Sequence, residues 1–504
     1  MSIGHRMSGR NAPSFSGKLR ALLRSGRPQS RRQRAGGLLA SGADRRDDGV
    51  PFVALVAFLI LTFLTGGSSR ADVTSLVILL PAAVLCCGIA AWGLRPQHLA
   101  AYRGPALLMA ATLVLTASHL VPLPPALWHA LPGRELIVEH DRLLGFTGLW
   151  RPVSFNPAGT RDVLYGLAVP LAVLLLGVRL GQDRLARLLP VVIVFGCLSG
   201  LWAILQFAGG LDSIFYTYRV SNPDVATGAF ANRNHQALFL AALYPLLGVF
   251  ATSQPENGTR RDSARGKRIS ALGIAVFLLP LIIVGGSRIG LVAAMAGMVA
   301  GALFYATAVP RERGGGRGRS VFRVALGLGA VAVVGLLALM LFTARTAAFD
   351  RVFQASSTQE LRFKVWPIIA ELVGRYFPVG SGIGSFVPVF QVAEPDAILR
   401  PTYLNHAHNE GLEIALTAGL PGMLLMAAAL VALVVWTRRA FARGGTEKLA
   451  QGGVAVIMLL VLGSLTDYPL RTPFLSCVLV VASLWAAAPQ ARVSPGEKKS
   501  GKLA

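Results

Sequence analysis

Charge is scarce in this chain. Only 14% of its 504 residues are Asp, Glu, Lys or Arg, while 53% are hydrophobic, and the mean hydropathy is +0.57. Such a composition excludes an ordinary soluble globular protein and leaves the polytopic membrane class. Acidic residues are scarcer still, 24 against 49 Lys and Arg, for a net charge of +25. The basic residues fall in short clusters between apolar runs rather than on one continuous face, so the excess marks topology and no nucleic-acid partner is expected. Cysteine is limited to Cys86, Cys87, Cys197 and Cys477, all inside apolar runs, which excludes a disulfide framework and zinc-ligand spacing. The sequence G-x-x-x-x-G-K-[ST] is missing, so an ATP-driven mechanism has no phosphate loop to use. A D-x-D pair that would hold a metal on a nucleotide sugar is missing too. No cofactor is expected, and energy and substrate must arrive in another form.

What the chain has is a succession of apolar runs. A spanning helix needs about 20 mostly apolar residues, and candidates lie at 51–66, 72–94, 105–121, 162–180, 188–208, 235–253, 269–284, 289–308, 321–343, 413–436, 449–465 and 474–488. The expected fold is an all-α polytopic membrane protein with about twelve transmembrane helices. Alternate connections carry the arginines and lysines, among them Arg184 and Arg187, Arg260 to Arg268, Arg311 to Arg319 and Arg438 to Lys448. They fall on one side with the basic tail 1–49, expected to be disordered, and with the tail 490–504, which makes both termini cytoplasmic. Residues 313–319 read as a flexible cytoplasmic linker. The opposite side receives 122–161, 209–234 and a large extracytoplasmic loop, 344–412, between spans nine and ten. In that loop 350–377 reads as a helix stopped by Pro378.

Two polar sites interrupt the apolar pattern. Arg288 sits between two runs in Gly285-Gly286-Ser287-Arg288. A cation at a membrane edge is costly and tends to mark a polar ligand, and a guanidinium forms bidentate bonds to phosphate without losing its charge. Its bland alternative is a snorkelling anchor for a hairpin. Asn405-His406-Ala407-His408-Asn409-Glu410 precedes span ten. There His408 is the candidate general base on a hydroxyl, with Glu410 or Glu413 to orient or replace it. The bland alternative makes His408 the cap of the following helix. His406 is the weaker base candidate. Arg219, Arg233, Arg362 and Arg471 are further candidate phosphate ligands on the outer side. Gly380-Ser381-Gly382-Ile383-Gly384 lacks the spacing of a dinucleotide fingerprint and reads as a tight turn that allows close backbone approach. These features together point to a membrane enzyme acting on a phosphate-bearing lipid.

Several stretches carry a likeness to a known family. They are Pro122 to Trp128 with Leu131-Pro132-Gly133-Arg134; Trp150 to Pro157; Phe230-Ala231-Asn232-Arg233-Asn234-His235; Gly286-Ser287-Arg288; Arg362 to Trp366 leading to Pro378 to Phe386; and His408-Asn409-Glu410 with Asp467-Tyr468-Pro469-Leu470-Arg471. Over about 120 to 475 the chain resembles the O-antigen ligase and polymerase family of bacterial inner-membrane glycosyltransferases. The resemblance implies a transmembrane catalytic domain over 50–489 and a donor glycan on undecaprenyl diphosphate. It also implies a catalytic histidine at His408 and diphosphate binding by Arg288, with Arg233 and Arg362 as further ligands; Arg219 and Arg471 remain candidate phosphate ligands from the residues alone, Glu410 a candidate catalytic partner of His408, and His406, Asn409 and Asp467 supporting residues. The transfer would be inverting, metal-independent and periplasmic, in a multi-pass protein of the inner membrane. Its partners would be membrane lipid and the lipid-linked glycan, together with a chain-length regulator and a flippase. The proline-rich outer loop and the Asp467 to Arg471 run resemble polymerase members of the family rather than ligases acting on lipid A core or on protein.

A transporter is the main reading from another class, because such a span count with both ends inside suits it as well. Transporters place ionisable groups near the bilayer midplane at repeat-related positions. Here polar residues gather at one surface, which favours the enzyme. A non-catalytic scaffold would leave His408 and Arg288 dispensable.

Overall fold

The computed structural model describes residues 48–210, 213–219, 225–253, 260–308, 357–399, 403–442 and 448–489, with only the backbone for 260–262 and 357–363. The expected disordered tail up to residue 47, the linker 313–319, the ninth expected span at 321–343 and the tail 490–504 lie outside the described residues. The chain divides after Gly49, and the description below concerns the unit that follows.

That unit is built of helices. In order they are α1 (Gly49–Thr65), α2 (Leu76–Ala91), α3 (Pro96–Ala101), α4 (Arg103–Ser118), α5 (Pro125–His129), α6 (Glu135–Leu143), α7 (Pro157–Gly166), α8 (Ala168–Gly177), α9 (Gln182–Gly209) and α10 (Arg233–Thr252). The series continues with α11 (Arg260–Val284), α12 (Arg288–Ala308), α13 (Ser357–Tyr376), α14 (Phe386–Ala393), α15 (Glu410–Phe441), α16 (Lys448–Ser464) and α17 (Pro473–Ala486). Among the described residues the β structure is one pair of two-residue strands, β1 (Pro122–Leu123) and β2 (Arg151–Pro152), paired antiparallel. Every expected span except 321–343 falls on a helix. Among the described residues six helical stretches are long and apolar enough to cross a membrane: 157–177, 182–209, 233–252, 263–284, 288–308 and 410–441. The others are shorter. The 14 residues of α17 rise about 21 Å, less than the roughly 30 Å of a hydrocarbon core.

Helix α10 is the centre of the bundle, with 89% of its span buried. It packs against α12 through Gly290, Gly297 and Gly301. A Cβ on Gly290 would meet Ala237, one on Gly297 would lie 2.7 Å from the Ala241 carbonyl oxygen, and one on Gly301 would meet that of Tyr244. Small residues at this spacing let two membrane helices approach backbone to backbone, where van der Waals contact is the main source of association. Because the contact positions rise together, α10 and α12 run parallel and both begin at the same end. Helix α11 returns antiparallel, with Lys267 Nζ 3.3 Å from the Ser253 carbonyl and the Tyr244 hydroxyl donating to Ala275 O at 3.1 Å. Phe63, Phe195, Phe239 and Phe474 interlock at the core, with Phe63 and Phe195 stacked at 4.9 Å, and tie α1, α9, α10 and α17 together.

The two ends of this bundle differ chemically. Beside the C-terminal ends of α10 and α12 lie Lys267, Arg268 over the Tyr305 ring, and Lys448, whose Nζ donates to Thr307 Oγ1 at 2.8 Å. At the opposite end α10 and α12 start with Arg233 and Arg288.

The tenth expected span is not a continuous helix. Within α15, Gly419 has φ 57° and ψ −149°, in the left-handed half of backbone space that glycine tolerates. The carbonyls released by the break accept bonds from the glycine-rich loop, Leu416 O from Ser381 N at 2.9 Å and Thr417 O from Gly382 N at 2.8 Å. Leu420 N donates to Pro378 O at 2.8 Å. With Pro421 unable to donate at all, the chain re-forms its helix only beyond the break. The stretch 420–441 that follows rises about 33 Å, enough to cross a bilayer alone. The short piece before the break belongs to a second, smaller core with Val365, Ile369 and Leu372 of α13 and Phe386 and Phe390 of α14.

Candidate active site

Asp467 is the hub of a polar cluster at the end where α10 and α12 begin. It follows α16, its backbone amide bonding back to Gly463 O at 3.0 Å, and it is 2% exposed. Its Oδ2 accepts from Asn234 Nδ2 at 2.5 Å and its Oδ1 from the Tyr468 amide at 2.9 Å. The same Oδ1 lies 3.4 Å from His408 Nδ1 and 3.6 Å from His235 Nε2. Asn234 and His235 are held in place because Asn232 caps α10, its side chain accepting from the Asn234 amide at 2.8 Å. Both imidazole distances exceed that of a tight hydrogen bond. Burial alone would raise the Asp467 carboxyl, but the two imidazoles outweigh it and hold the group well below the ordinary carboxylate range.

His408 has φ 50°, the one positive value at a non-glycine position among the described residues, and such strain persists only when the surroundings over-determine it. Both neighbours are fixed. The Ala407 amide donates to Glu413 Oε2 at 2.8 Å while its carbonyl accepts from Trp366 Nε1 at 3.0 Å. On the other side Asn409 Oδ1 accepts from the Leu412 amide at 3.1 Å and caps α15. The helix cap is therefore Asn409, and His408 is turned instead to the carboxylate and to the Tyr468 ring.

Tyr468 collects three imidazoles. The His406 ring lies 4.4 Å from it, that of His408 4.8 Å and that of His235 5.2 Å. His406 Nδ1 also lies 3.0 Å from Glu413 Oε1. Arg471, four residues after Asp467, forms a fork with Glu410, Nε to Oε1 at 3.0 Å and NH2 to Oε2 at 2.8 Å, and its NH1 reaches Glu413 Oε1 at 3.0 Å. Burial would lower the guanidinium's pKa, but Glu410 and Glu413 raise it, so the charge is permanent. The sequence candidates Glu410 and Arg471 thus form one ion pair, with Glu413 sharing the cation.

The remaining arginines separate. Arg288 and Arg233 open α12 and α10 at this end of the bundle, both partly buried. Arg219 is 82% exposed and pairs with Asp72 Oδ2 at 3.2 Å; Asp72 also binds Arg70, which donates to the Tyr403 hydroxyl at 2.8 Å. Arg362 lies on α13, and its side chain is outside the described residues.

Sequence reasoning did not assign roles to His235, Asn234, Tyr468, Arg134 or His119. Asn232-Arg233-Asn234-His235 is a polar run at the head of a buried span, the kind of signal that marked 405–410. Arg134 and His119 act in the glycine-loop junction. Gly380, Gly382 and Gly384 all have positive φ, and a Cβ on Gly384 would lie 2.6 Å from the Gly159 backbone. The Ile383 amide donates to His119 Nδ1 at 2.9 Å, and the fully buried Arg134 donates to Val153 O and Gly380 O at 2.9 and 3.1 Å. With the amides of Ser381, Gly382 and Ile383 engaged inside the protein, the loop is a structural junction, not a phosphate cradle. The Arg134 guanidinium lies 4.5 Å from the Phe155 ring.

Comparison with known proteins returns no curated protein that matches the chain at a significant level. A family model described as O-Antigen ligase matches residues 273–427, from α11 through the break in α15. Members of that family are glycan-transferring enzymes. This stretch carries Arg288 and His408, and its match supports a likeness to the O-antigen ligase and polymerase family; together with the apolar helices it points to a multi-pass membrane protein.

Proposed function

We propose that the chain transfers a glycan from undecaprenyl diphosphate to a sugar hydroxyl at the periplasmic face of the inner membrane, as a polymerase of O-antigen or exopolysaccharide. The observation that carries this reading is the meeting of His408 with buried Asp467 at the end of the bundle where Arg233 and Arg288 begin their helices. With Nδ1 on the carboxylate, His408 Nε2 takes the proton of the acceptor hydroxyl. The acceptor oxygen then attacks the anomeric carbon, the bond to the diphosphate breaks on the opposite side, and configuration inverts. Negative charge develops on the departing polyprenyl diphosphate, where Arg288 and Arg233 stabilise it; Arg362 and Arg219 are further candidates for that role. Asp467 orients the imidazole and balances the charge it gains. Glu410, held by Arg471, is a counter-ion that fixes the head of α15, and Asn409 caps it.

The test is replacement of His408 by Ala and, separately, of Arg288 by Ala, with glycan chain length followed on gels at matched protein level. Loss of a general base costs about 100- to 10,000-fold, so long chains disappear in His408→Ala. Long chains of unaltered length in both variants would overturn the transferase reading. A ligase acting on lipid A core or on protein predicts instead that long lipid-linked chains persist while their attachment to the final acceptor is lost.

A further inference from the structure

The hairpin excursion between β1 and β2 carries an apolar finger that is exposed among the described residues. From Arg142 to Trp150 every residue is exposed, and Leu143, Phe146 and Trp150 are 74%, 51% and 63% accessible. Gly145 and Gly148 within the finger have open space where a Cβ would stand. The finger is nonetheless held firmly at its base. β1 pairs with β2 in register Pro122 to Pro152, and the buried Asp141 takes Arg151 Nε at 2.7 Å. Loose termini do not account for the exposure.

We propose that residues 142–150 insert into the lipid leaflet at the end of the bundle where α10 and α12 begin, as a membrane anchor. This inference goes beyond the transferase reading and does not depend on it. The occupant is lipid because the finger continues an exposed apolar surface of the bundle. Helix α4 leads directly into β1, and its outward positions Leu107, Val114 and, just beyond its end, Val121 are 67%, 68% and 53% exposed at heptad spacing, in a chain that is a multi-pass membrane protein. α6 repeats the pattern, with Leu136 and Leu143 exposed seven residues apart and Asp141 turned inward. Tryptophan next to the base and arginine at the head of an apolar loop suit a bilayer interface, where an aromatic ring sits at headgroup level and a guanidinium reaches water. The end of the bundle is set by His119, just after α4, which accepts from Ile383 of the loop that caps broken α15.

The test uses the intact protein in proteoliposomes and the fluorescence difference between it and Trp150→Phe, which isolates Trp150. Insertion predicts a blue-shifted difference spectrum, most of it quenched by lipids brominated near the top of the acyl chain and little of it by aqueous iodide. Phe146→Asp, at an exposed position that folding does not use, should transfer quenching from the brominated lipid to iodide. A Trp150 signal quenched by iodide and indifferent to brominated lipid overturns the proposal. So does a signal that neither agent reaches, which would mean that another protein surface, such as a second copy of the chain, covers the finger.

Discussion

A carboxylate buried behind two imidazoles is useful to a base only while it remains ionised, and Asp467 has its carboxyl held well below the ordinary range for that reason. The sign of its pH dependence follows. A carboxyl depressed in the folded state contributes stability that is fully present above its unfolded value, about 3.9, and is lost as pH falls through the lower folded value. Between neutral pH and about 5 this group contributes no slope, so a change in activity there reports on other groups. Asp467→Asn keeps the shape of the side chain and removes the charge. Transfer should fall by about 100-fold or more, as for loss of the base itself, with glycan chain length the readout. An Asn variant that builds chains of normal length would show that His408 works without its carboxylate. Much of this cluster was legible in the sequence, since His406, His408, Asn409, Glu410 and Arg471 stood out as polar groups beside apolar runs and Asp467 entered through the family resemblance. Their pairing was not. Glu410 and Arg471 are 61 positions apart, and His235 reaches Asp467 across more than 200, distances over which no local pattern carries information.

At the level of elements, the lengths of apolar runs located the spans but not the break in α15, because Gly419-Leu420-Pro421 lies inside one such run. The partners that make the break stable come from the loop around Pro378 to Gly382, about 40 residues upstream in sequence terms. Gly419→Ala puts a Cβ at positive φ and against Pro378 O. The variant should lose stability by more than about 1 kcal/mol, read as a lower melting temperature in detergent, with activity reduced because the head of α15 carries the residues around His408. A variant as stable as the parent would mean that the helix can close through 419. The same junction has a pH signature. His119, buried and then disfavoured further by Arg134, has its pKa lowered from 6.5 to about 4. Its folded form binds a proton less readily than the unfolded chain. Stability is therefore complete above about 6.5, declines as pH drops towards 4 and levels off below. Protonation would also remove the lone pair that accepts from Ile383. His119→Asn should flatten the melting-temperature profile across that window; an unchanged slope would place the acid sensitivity elsewhere.

For the whole molecule, the glycine-lined parallel packing of α10 and α12 has the widest consequence, because it brings Arg233 and Arg288 to one end and sends the basic connections to the other. Charge asymmetry along the sequence already divided the connections into two sets, and Lys267, Arg268 and Lys448 indeed gather beside the C-terminal ends of these helices. A surplus of Lys and Arg marks the cytoplasmic side of a membrane protein. The end with Asp467 and His408 would then face outward, where a lipid-linked sugar can meet its acceptor without ATP. Cysteine substitution tests the orientation directly. Asp396→Cys lies in the exposed turn after α14 at the site end, and Arg265→Cys is exposed near the start of α11 at the basic end. A membrane-impermeant maleimide applied to intact cells stripped of their outer membrane should label the first above the background of the native cysteines. It should label the second only after permeabilisation. The reverse pattern would turn the bundle over and put the His408 cluster in the cytoplasm, where the transfer reaction would need a different acceptor and a different route for its product.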